Sequence, residues 1–220
     1  MSRPVVVAVA LLSVVPSFRR LSAQASFPAT PPKPTRLAPL RFPPFKEATL
    51  PNGLQLVVVE RHEQPVISVS LAFHAGEIHD PAGKEGLAEL TAELLSKGTD
   101  TRTAEQIAAT IEGVGGSLSA SAGPDFLTIS VDALSDQAGL VFDLLGDVTL
   151  HSTFPEGELE LARTRALSAL ALQLSQPGAV AQRFFGSEVY GRNPYGRSAT
   201  RESYQAVTRD DVIQFARARL

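Results

Sequence analysis

The sequence contains no cysteine, and this absence excludes several kinds of chemistry. Disulfide bonds, thiol redox reactions and lipid attachment at a cysteine are all ruled out. Stability must come from a core, and 220 residues with 44% hydrophobic content can bury one of sizeable volume. Runs of basic residues are also missing and the formal net charge is −3, so nothing indicates a nucleic-acid partner. We therefore expect one main domain.

Long hydrophobic runs are lacking as well, apart from a short one near the start. Val5 to Val15 is apolar, follows Arg3 and ends before Pro16. This run is shorter than the roughly 20 residues needed to span a bilayer. Residues 23–25, Ala-Gln-Ala, have the small-x-small form of a signal-peptidase site. Residues 1–25 thus predict a signal peptide and export to the periplasm or outside the cell; an uncleaved membrane anchor is the alternative. The mature chain would carry 17 basic and 23 acidic residues, a net charge of −6, and no stable membrane span.

Residues 26–46 form a proline-rich leader with seven prolines. Proline removes backbone donors and favours extended conformations, so this segment is either a flexible spacer or a strap across a neighbouring surface. We expect the folded domain to occupy residues 47–220.

Hydrophobic periodicity predicts the elements of this domain. Asn52-Gly53 indicates a two-residue hairpin turn, Thr103 and Thr208 are expected helix N-caps, and Pro177 should interrupt a long helix. The predicted strands are 48–50, 54–60, 66–73, 117–122 and 126–133; the predicted helices are 84–97, 103–114, 135–150, 155–176, 179–190 and 209–220. Hairpins supply most pairings, so the fold class is α+β, a layered sandwich of a mainly antiparallel sheet with helices packed on one face.

Common catalytic signatures are missing. The sequence has no Gly-x-Ser-x-Gly elbow, no phosphate-binding Gly-x-x-x-x-Gly-Lys-Ser/Thr loop and no dinucleotide-binding fingerprint. The four histidines show no short ligand spacing, although His74 and His79 lie near the first helix and are weak candidates for a metal.

Five stretches of the sequence, in the same order, resemble those of a known family. They are Leu50-Pro-Asn-Gly-Leu54, Phe73-His-Ala-Gly76, the segment from Gly86-Leu-Ala to Thr99, Asn193-Pro-Tyr-Gly196 and Val207-Thr-Arg-Asp-Asp211. From about Pro43 to its last residue the chain resembles the pitrilysin/insulinase family of zinc peptidases, which includes the mitochondrial processing peptidase. The resemblance implies a processing-peptidase-like half domain corresponding to the first of two halves. It also predicts a domain incomplete at its C-terminal end.

In active members of that family, the helix that begins Gly-Leu-Ala carries the zinc motif H-x-x-E-H. Laid on this sequence, the motif falls on Glu89, Ala92 and Glu93, so all three positions are replaced. The family's third ligand, a glutamate, falls in the window 166–172, which contains no carboxylate. The resemblance therefore implies vestigial motif positions, no catalytic residue and no zinc cofactor.

One alternative metal site is open to consideration. Glu85, Glu89 and Glu93 recur every four residues, and hard ions such as Ca²⁺ accept carboxylate ligands. Carboxylates on one rigid helix rarely surround an ion, however, and they ordinarily face water. We expect the chain to be inactive by itself and to act as a non-catalytic subunit that helps enclose peptides with a zinc-motif-bearing family partner. The alternatives are a partner-independent binding or structural protein and an active metalloendopeptidase with an atypical site.

Overall fold

The computed structural model describes residues 43–220, which divide into two compact units. The first unit extends to Val59 and the second runs from Glu60 to Leu220. The predicted signal peptide, residues 1–25, and the leader up to residue 42 lie outside the described residues.

The first unit contains an antiparallel hairpin of β1 (Phe45–Thr49) and β2 (Gln55–Val59), with Phe45 opposite Val59. Strand β1 begins two residues before the predicted start of the domain, so the end of the leader is strand. The predicted two-residue turn is wrong. The Leu50 amide donates to the Leu54 carbonyl (2.9 Å), which closes a three-residue loop in which only Gly53 has positive φ. Pro51 holds φ negative at the start of the loop and leaves the left-handed conformation to Gly53.

The second unit contains an antiparallel three-stranded sheet with the order β3-β5-β4. Its strands are β3 (Val66–Phe73), β4 (Ser117–Ala122) and β5 (Leu127–Leu134). Ser130 in the central strand lies opposite Ser70 on one side and Ser119 on the other. The predicted hairpin around Gly123-Pro124-Asp125 joins β4 to β5, so this part of the pattern is confirmed.

Seven α-helices complete the described part of the second unit. They are α1 (Leu87–Leu94), α2 (Ala104–Glu112), α3 (Ala138–Leu150), α4 (Glu156–Leu174), α5 (Pro177–Tyr190), α6 (Arg201–Ala206) and α7 (Arg209–Arg219). Short 3-10 turns occur at Glu77–His79, Ser135–Gln137 and Pro194–Gly196.

The predicted helix boundaries hold where the capping chemistry is local. Thr103 and Thr208 both form capping boxes, and Pro177 ends the long helix by occupying the first turn of α5. Other boundaries differ from the sequence pattern. Helix α1 is shorter than predicted at both ends, residues 135–137 form a 3-10 turn before α3, and α5 begins at Pro177 instead of Ala179. Helix α6 was not predicted at all.

The helices cover one face of the sheet, as the fold class predicts. Side chains at alternate positions of β5, including Leu127, Ile129 and Val131, are buried beneath α1 and α3. The opposite face carries small hydroxyl side chains, among them Ser70 and Ser130, whose Oγ atoms are 2.9 Å apart. The second unit is thus an α+β sandwich with its core between sheet and helices. No helix in residues 43–220 is long and apolar enough to cross a bilayer.

Candidate functional site

Helix α1 carries the motif positions, and its start is fixed by Gly86 and Asp80. Gly86 has φ +102°, which favours glycine. The buried Asp80 carboxylate accepts hydrogen bonds from the amides of Gly86 (2.7 Å) and Ala88 (2.9 Å), so it satisfies donors at the helix start. Burial raises the pKa of Asp80 to about 6, although these two hydrogen bonds oppose the shift.

The residues at the motif positions point in two directions. The Ala92 methyl group is buried in the core, whereas Glu89 and Glu93 lie on the accessible side of the helix. The Glu89 carboxylate accepts a hydrogen bond from the Tyr204 hydroxyl of α6. The Glu93 Oε1 atom pairs with Nη1 of Arg165 in α4 at 3.0 Å. Each glutamate therefore already has a partner from another helix.

Glu85, the first of the three glutamates that recur every four residues, lies before the helix. Its carboxylate accepts from the Gly83 amide at 3.1 and 3.2 Å, and Oε1 lies 3.6 Å from Nη1 of Arg197. The carboxylates of Glu85, Glu89 and Glu93 thus interact with three different parts of the chain and do not converge on one point.

Glu89 and Glu93 line an open groove between α1 and the edge strand β4, with the buried Ala92 beneath them; we call it the α1–β4 groove. It measures about 600 Å³. The β4 side contributes small side chains from Ser119 to Ala122. The other side is formed by Glu77, Glu89, Ala92, Glu93, Ser96, Lys97 and Gln173. Within the described sheet β4 pairs only with β5, and four consecutive residues of β4 contact the groove.

A second cleft, of about 220 Å³, lies at the N-terminal end of α1 and shares Glu77 and Glu89 with the groove. Ala166, Ala169 and Leu170 of α4 line it, so the window that the family resemblance assigns to the third ligand does face Glu89. Burial and the negative charge of Glu89 raise the pKa of Glu77.

These side chains do not fit a catalytic zinc ion. Such an ion needs three protein ligands, commonly imidazoles and a carboxylate, and an activated water needs a neighbouring general base. Here the Glu89 and Glu93 carboxylates are engaged with Tyr204 and Arg165. Ala92, at the position of the base, has only a buried methyl group. The α4 side chains that face Glu89, those of Ala166, Ala169 and Leu170, are aliphatic and supply no ligand atom. In residues 43–220 no group of three or more His, Asp or Glu side chains is arranged to hold a metal ion.

The two candidate histidines lie outside the groove lining. The His74 ring packs against Phe126 with ring centroids 4.6 Å apart. Burial lowers the pKa of His79, and the positive charges of Arg219 and His74 lower it further.

Sequence reasoning missed Glu77, Tyr204 and Arg165. Tyr204 is 115 residues from Glu89, and Arg165 is 72 residues from Glu93. Glu77 follows Gly76 in a short 3-10 turn that has no hydrophobic periodicity. The signal available in the sequence was the capping pattern of Thr200 and Ser203, which indicates a helix start next to the aromatic Tyr204.

The described second unit is an antiparallel α+β sandwich with a groove along α1, the helix on which the family resemblance places the zinc-motif positions. Comparison with known proteins gives the family. The profile described as Insulinase (Peptidase family M16) matches residues 56–203, and the chain belongs to this family.

Individual relatives agree with this assignment. An uncharacterized zinc protease of Mycobacterium leprae is 31% identical over 169 residues, which cover 76% of this chain and 38% of that protein. A peptidase M16 inactive domain from Pseudomonas fluorescens has a TM-score of 0.72 and 26% identity, covering 78% of this chain and 42% of that one. A protease from Helicobacter pylori shares the fold with a TM-score of 0.73 and 22% identity, covering 80% and 43%. The chain thus spans about two fifths of the length of these relatives.

Proposed function

We propose that this chain is an exported, non-catalytic member of the insulinase family whose α1–β4 groove holds an extended peptide for a zinc-bearing family partner. One observation carries the proposal: the motif positions on α1 line a groove whose opposite wall is β4, a strand that pairs on one side only in the described sheet. On this proposal the groove binds a peptide, while Glu89, Ala92 and Glu93 stand where active relatives carry the groups that hydrolyse it.

The edge of β4 suits binding through a peptide's backbone. Ser119, Ala120, Ser121 and Ala122 present no bulky side chain to the groove. An extended peptide that adds to such an edge forms main-chain hydrogen bonds with little demand on its sequence. The groove therefore supports recognition of peptides as a class.

The charges of the groove favour basic peptides. Three carboxylates, those of Glu77, Glu89 and Glu93, line it together with one ammonium group, that of Lys97. Burial raises the pKa of Glu77, and the negative charge of Glu89 raises it further. A lysine or arginine side chain from a bound peptide would relieve this repulsion.

Export and a partner subunit complete the proposal. Residues 1–25 have the pattern of a signal peptide. A zinc-bearing partner is supported by the replaced motif together with the similarity to a domain described as inactive in Pseudomonas fluorescens.

Fluorescence anisotropy with a short labelled peptide of alternating valine and lysine tests the site. We expect saturable binding by the purified chain and an intact peptide, checked by mass spectrometry, after incubation with added zinc. Methylation of alternate peptide nitrogens on the face that pairs with β4 should abolish binding, because it removes the donors that edge addition needs. Cleavage by the chain alone, or unchanged binding of both registers of methylated peptide, would contradict the proposal.

Charge reversal tests the preference for basic peptides. Glu89→Lys with Glu93→Lys should weaken binding of the lysine-containing peptide about tenfold or more, because two attractive charges become repulsive. The matched control is Glu112→Lys with Glu156→Lys, which changes net charge equally at residues outside the groove lining. Equal weakening by both pairs would show that only overall charge matters.

A further inference from the structure

The sequence contains two asparagines, and both accept a hydrogen bond in the same way. Asn52 Oδ1 accepts from the Leu54 amide at 3.2 Å, and Asn193 Oδ1 accepts from the Tyr195 amide, also at 3.2 Å. Each side chain thus folds over the peptide group that follows it, as in an Asx turn. The two asparagines differ in the next residue, which is glycine in the first case and proline in the second.

The residue after an asparagine decides whether the asparagine side chain can react with the backbone. The amide nitrogen of that next residue can attack the side-chain carbonyl carbon, and glycine hinders the attack least because it has no Cβ. Proline has no N–H group, so it cannot supply this nucleophile. Asn52 and Asn193 therefore form a matched pair within one chain, the first reactive and the second protected.

We propose that Asn52 is a site of spontaneous deamidation and isoaspartate formation in the loop between β1 and β2. After a base removes its proton, the Gly53 amide nitrogen attacks Cγ of Asn52 and forms the carbon–nitrogen bond of a cyclic imide. The bond from Cγ to Nδ2 breaks, and this nitrogen takes up a proton and leaves as ammonia. Water then opens the imide at either carbonyl, which gives aspartate or isoaspartate. Water is consumed and ammonia is released, with no oxidation or reduction.

The loop leaves room for this reaction and polarises the group that is attacked. Asn52 is exposed, and Gly53, at φ +87°, has no heavy atom within 4 Å of the place that a Cβ would take. The Leu54 amide donates to the side-chain oxygen that becomes negative when Cγ is attacked, so it stabilises that charge. The side-chain carbonyl of Asn52 is thus both accessible and activated.

One hydrogen bond opposes the attack. The Gly53 amide donates to the Leu50 carbonyl at 2.8 Å, so the loop must open before the nitrogen reaches Cγ. Opening costs little where few buried contacts hold a segment. In the described part of the chain β1 and β2 pair with each other alone, and every residue of both strands is exposed. Because such a two-stranded hairpin is only marginally stable, we expect the folded protein to react within about tenfold of the rate of the unfolded chain.

The isoaspartate product changes the loop more than the aspartate product does. Aspartate keeps an oxygen that can accept from the Leu54 amide, and it adds one negative charge. Isoaspartate routes the main chain through Cγ, which adds a backbone atom to a loop closed by hydrogen bonds from Leu50 to residues 53 and 54. The strand pairing that begins with Thr49 opposite Gln55 should then fray. The inference concerns the first unit alone and does not depend on the proposed function.

Mass spectrometry of the purified chain, aged in mildly alkaline buffer with and without guanidinium chloride, tests the proposal. We expect a gain of about 1 Da that peptide mapping places at Asn52 and not at Asn193, with a matching acidic peak in ion-exchange chromatography. Asn52→Gln should abolish the gain, because the attack would have to close a larger ring. A folded chain that keeps the Asn52 amide while the unfolded chain loses it, or an equal gain at Asn193, would overturn the proposal.

Hydrogen–deuterium exchange tests the effect on the loop. The backbone amides of residues 45–59 should exchange faster in the aged wild type than in fresh protein, and those of the second unit should be unchanged. Freshly prepared Asn52→Asp carries the added charge without the added backbone atom, so its exchange should match that of the fresh wild type. Equal exchange in aged and fresh wild type, once isoaspartate has formed, would contradict the predicted fraying of the hairpin.

Discussion

Replacing Gly86 by alanine should destabilise the second unit strongly, since two separate costs meet at this residue. Gly86 has φ +102°, where a side chain costs about 1 to 2 kcal/mol. An added Cβ would also lie 2.4 Å from Cε1 of the buried Tyr204 ring, and forced repacking of this kind costs about 1 to 3 kcal/mol. We expect Gly86→Ala to lower the free energy of unfolding by about 2 to 5 kcal/mol.

Urea unfolding followed by circular dichroism measures this change. The matched control is Gly146→Ala in the middle of α3, where an added Cβ meets nothing within 4 Å and φ is not positive. That variant should gain about 0.5 to 1 kcal/mol through its helix propensity and a less flexible unfolded chain. A Gly86→Ala protein as stable as the wild type would refute the packing of Tyr204 against the start of α1.

Two further predictions concern buried carboxylates. The folded-state pKa of Asp80 lies near 6, above its ordinary value of 3.8, so its contribution to stability is fully present below about pH 4 and is lost as pH rises to 6. The free energy of unfolding of the wild type minus that of Asp80→Asn should therefore fall by about 2 to 4 kcal/mol between pH 4 and pH 7, measured by urea unfolding; a rise would contradict the shift. Arg102 donates to the buried Asp147 at 2.6 Å, so Arg102→Ala should cost about 2 to 4 kcal/mol in the same assay. The control Arg61→Ala breaks an exposed ion pair and should change little, and equal effects would refute a special role for Asp147.

Features set by neighbouring residues could be predicted from the sequence. The N-caps at Thr103 and Thr208 and the interruption of the long helix at Pro177 each depend on side chains within one helical turn. The positions of Glu89, Ala92 and Glu93 on one helix also followed from local spacing. Family resemblance added that this helix lines a site, and the groove agrees with that expectation.

Features set by distant contacts could not be predicted in this way. Helix α6 has six residues and buries only Ser203 and Tyr204, so it leaves no periodic pattern. The hydrogen bond from Tyr204 to Glu89 and the ion pair of Arg165 with Glu93 depend on how α4 and α6 pack against α1. The outward aromatic side chains of α5, Phe184 and Phe185, depart from the usual amphipathic pattern of a surface helix.

We propose that Glu89, Ala92 and Glu93 replace the zinc-binding side chains of active relatives while the α1–β4 groove binds peptides. The most direct test is the zinc content per chain of the purified, folded protein after dialysis against a weak chelator, measured by inductively coupled plasma mass spectrometry. Glu89 and Glu93 are engaged with Tyr204 and Arg165, and Ala92 has no ligand atom, so we predict far less than one zinc ion per chain. One zinc ion per chain that survives dialysis would mean that these side chains do bind the metal.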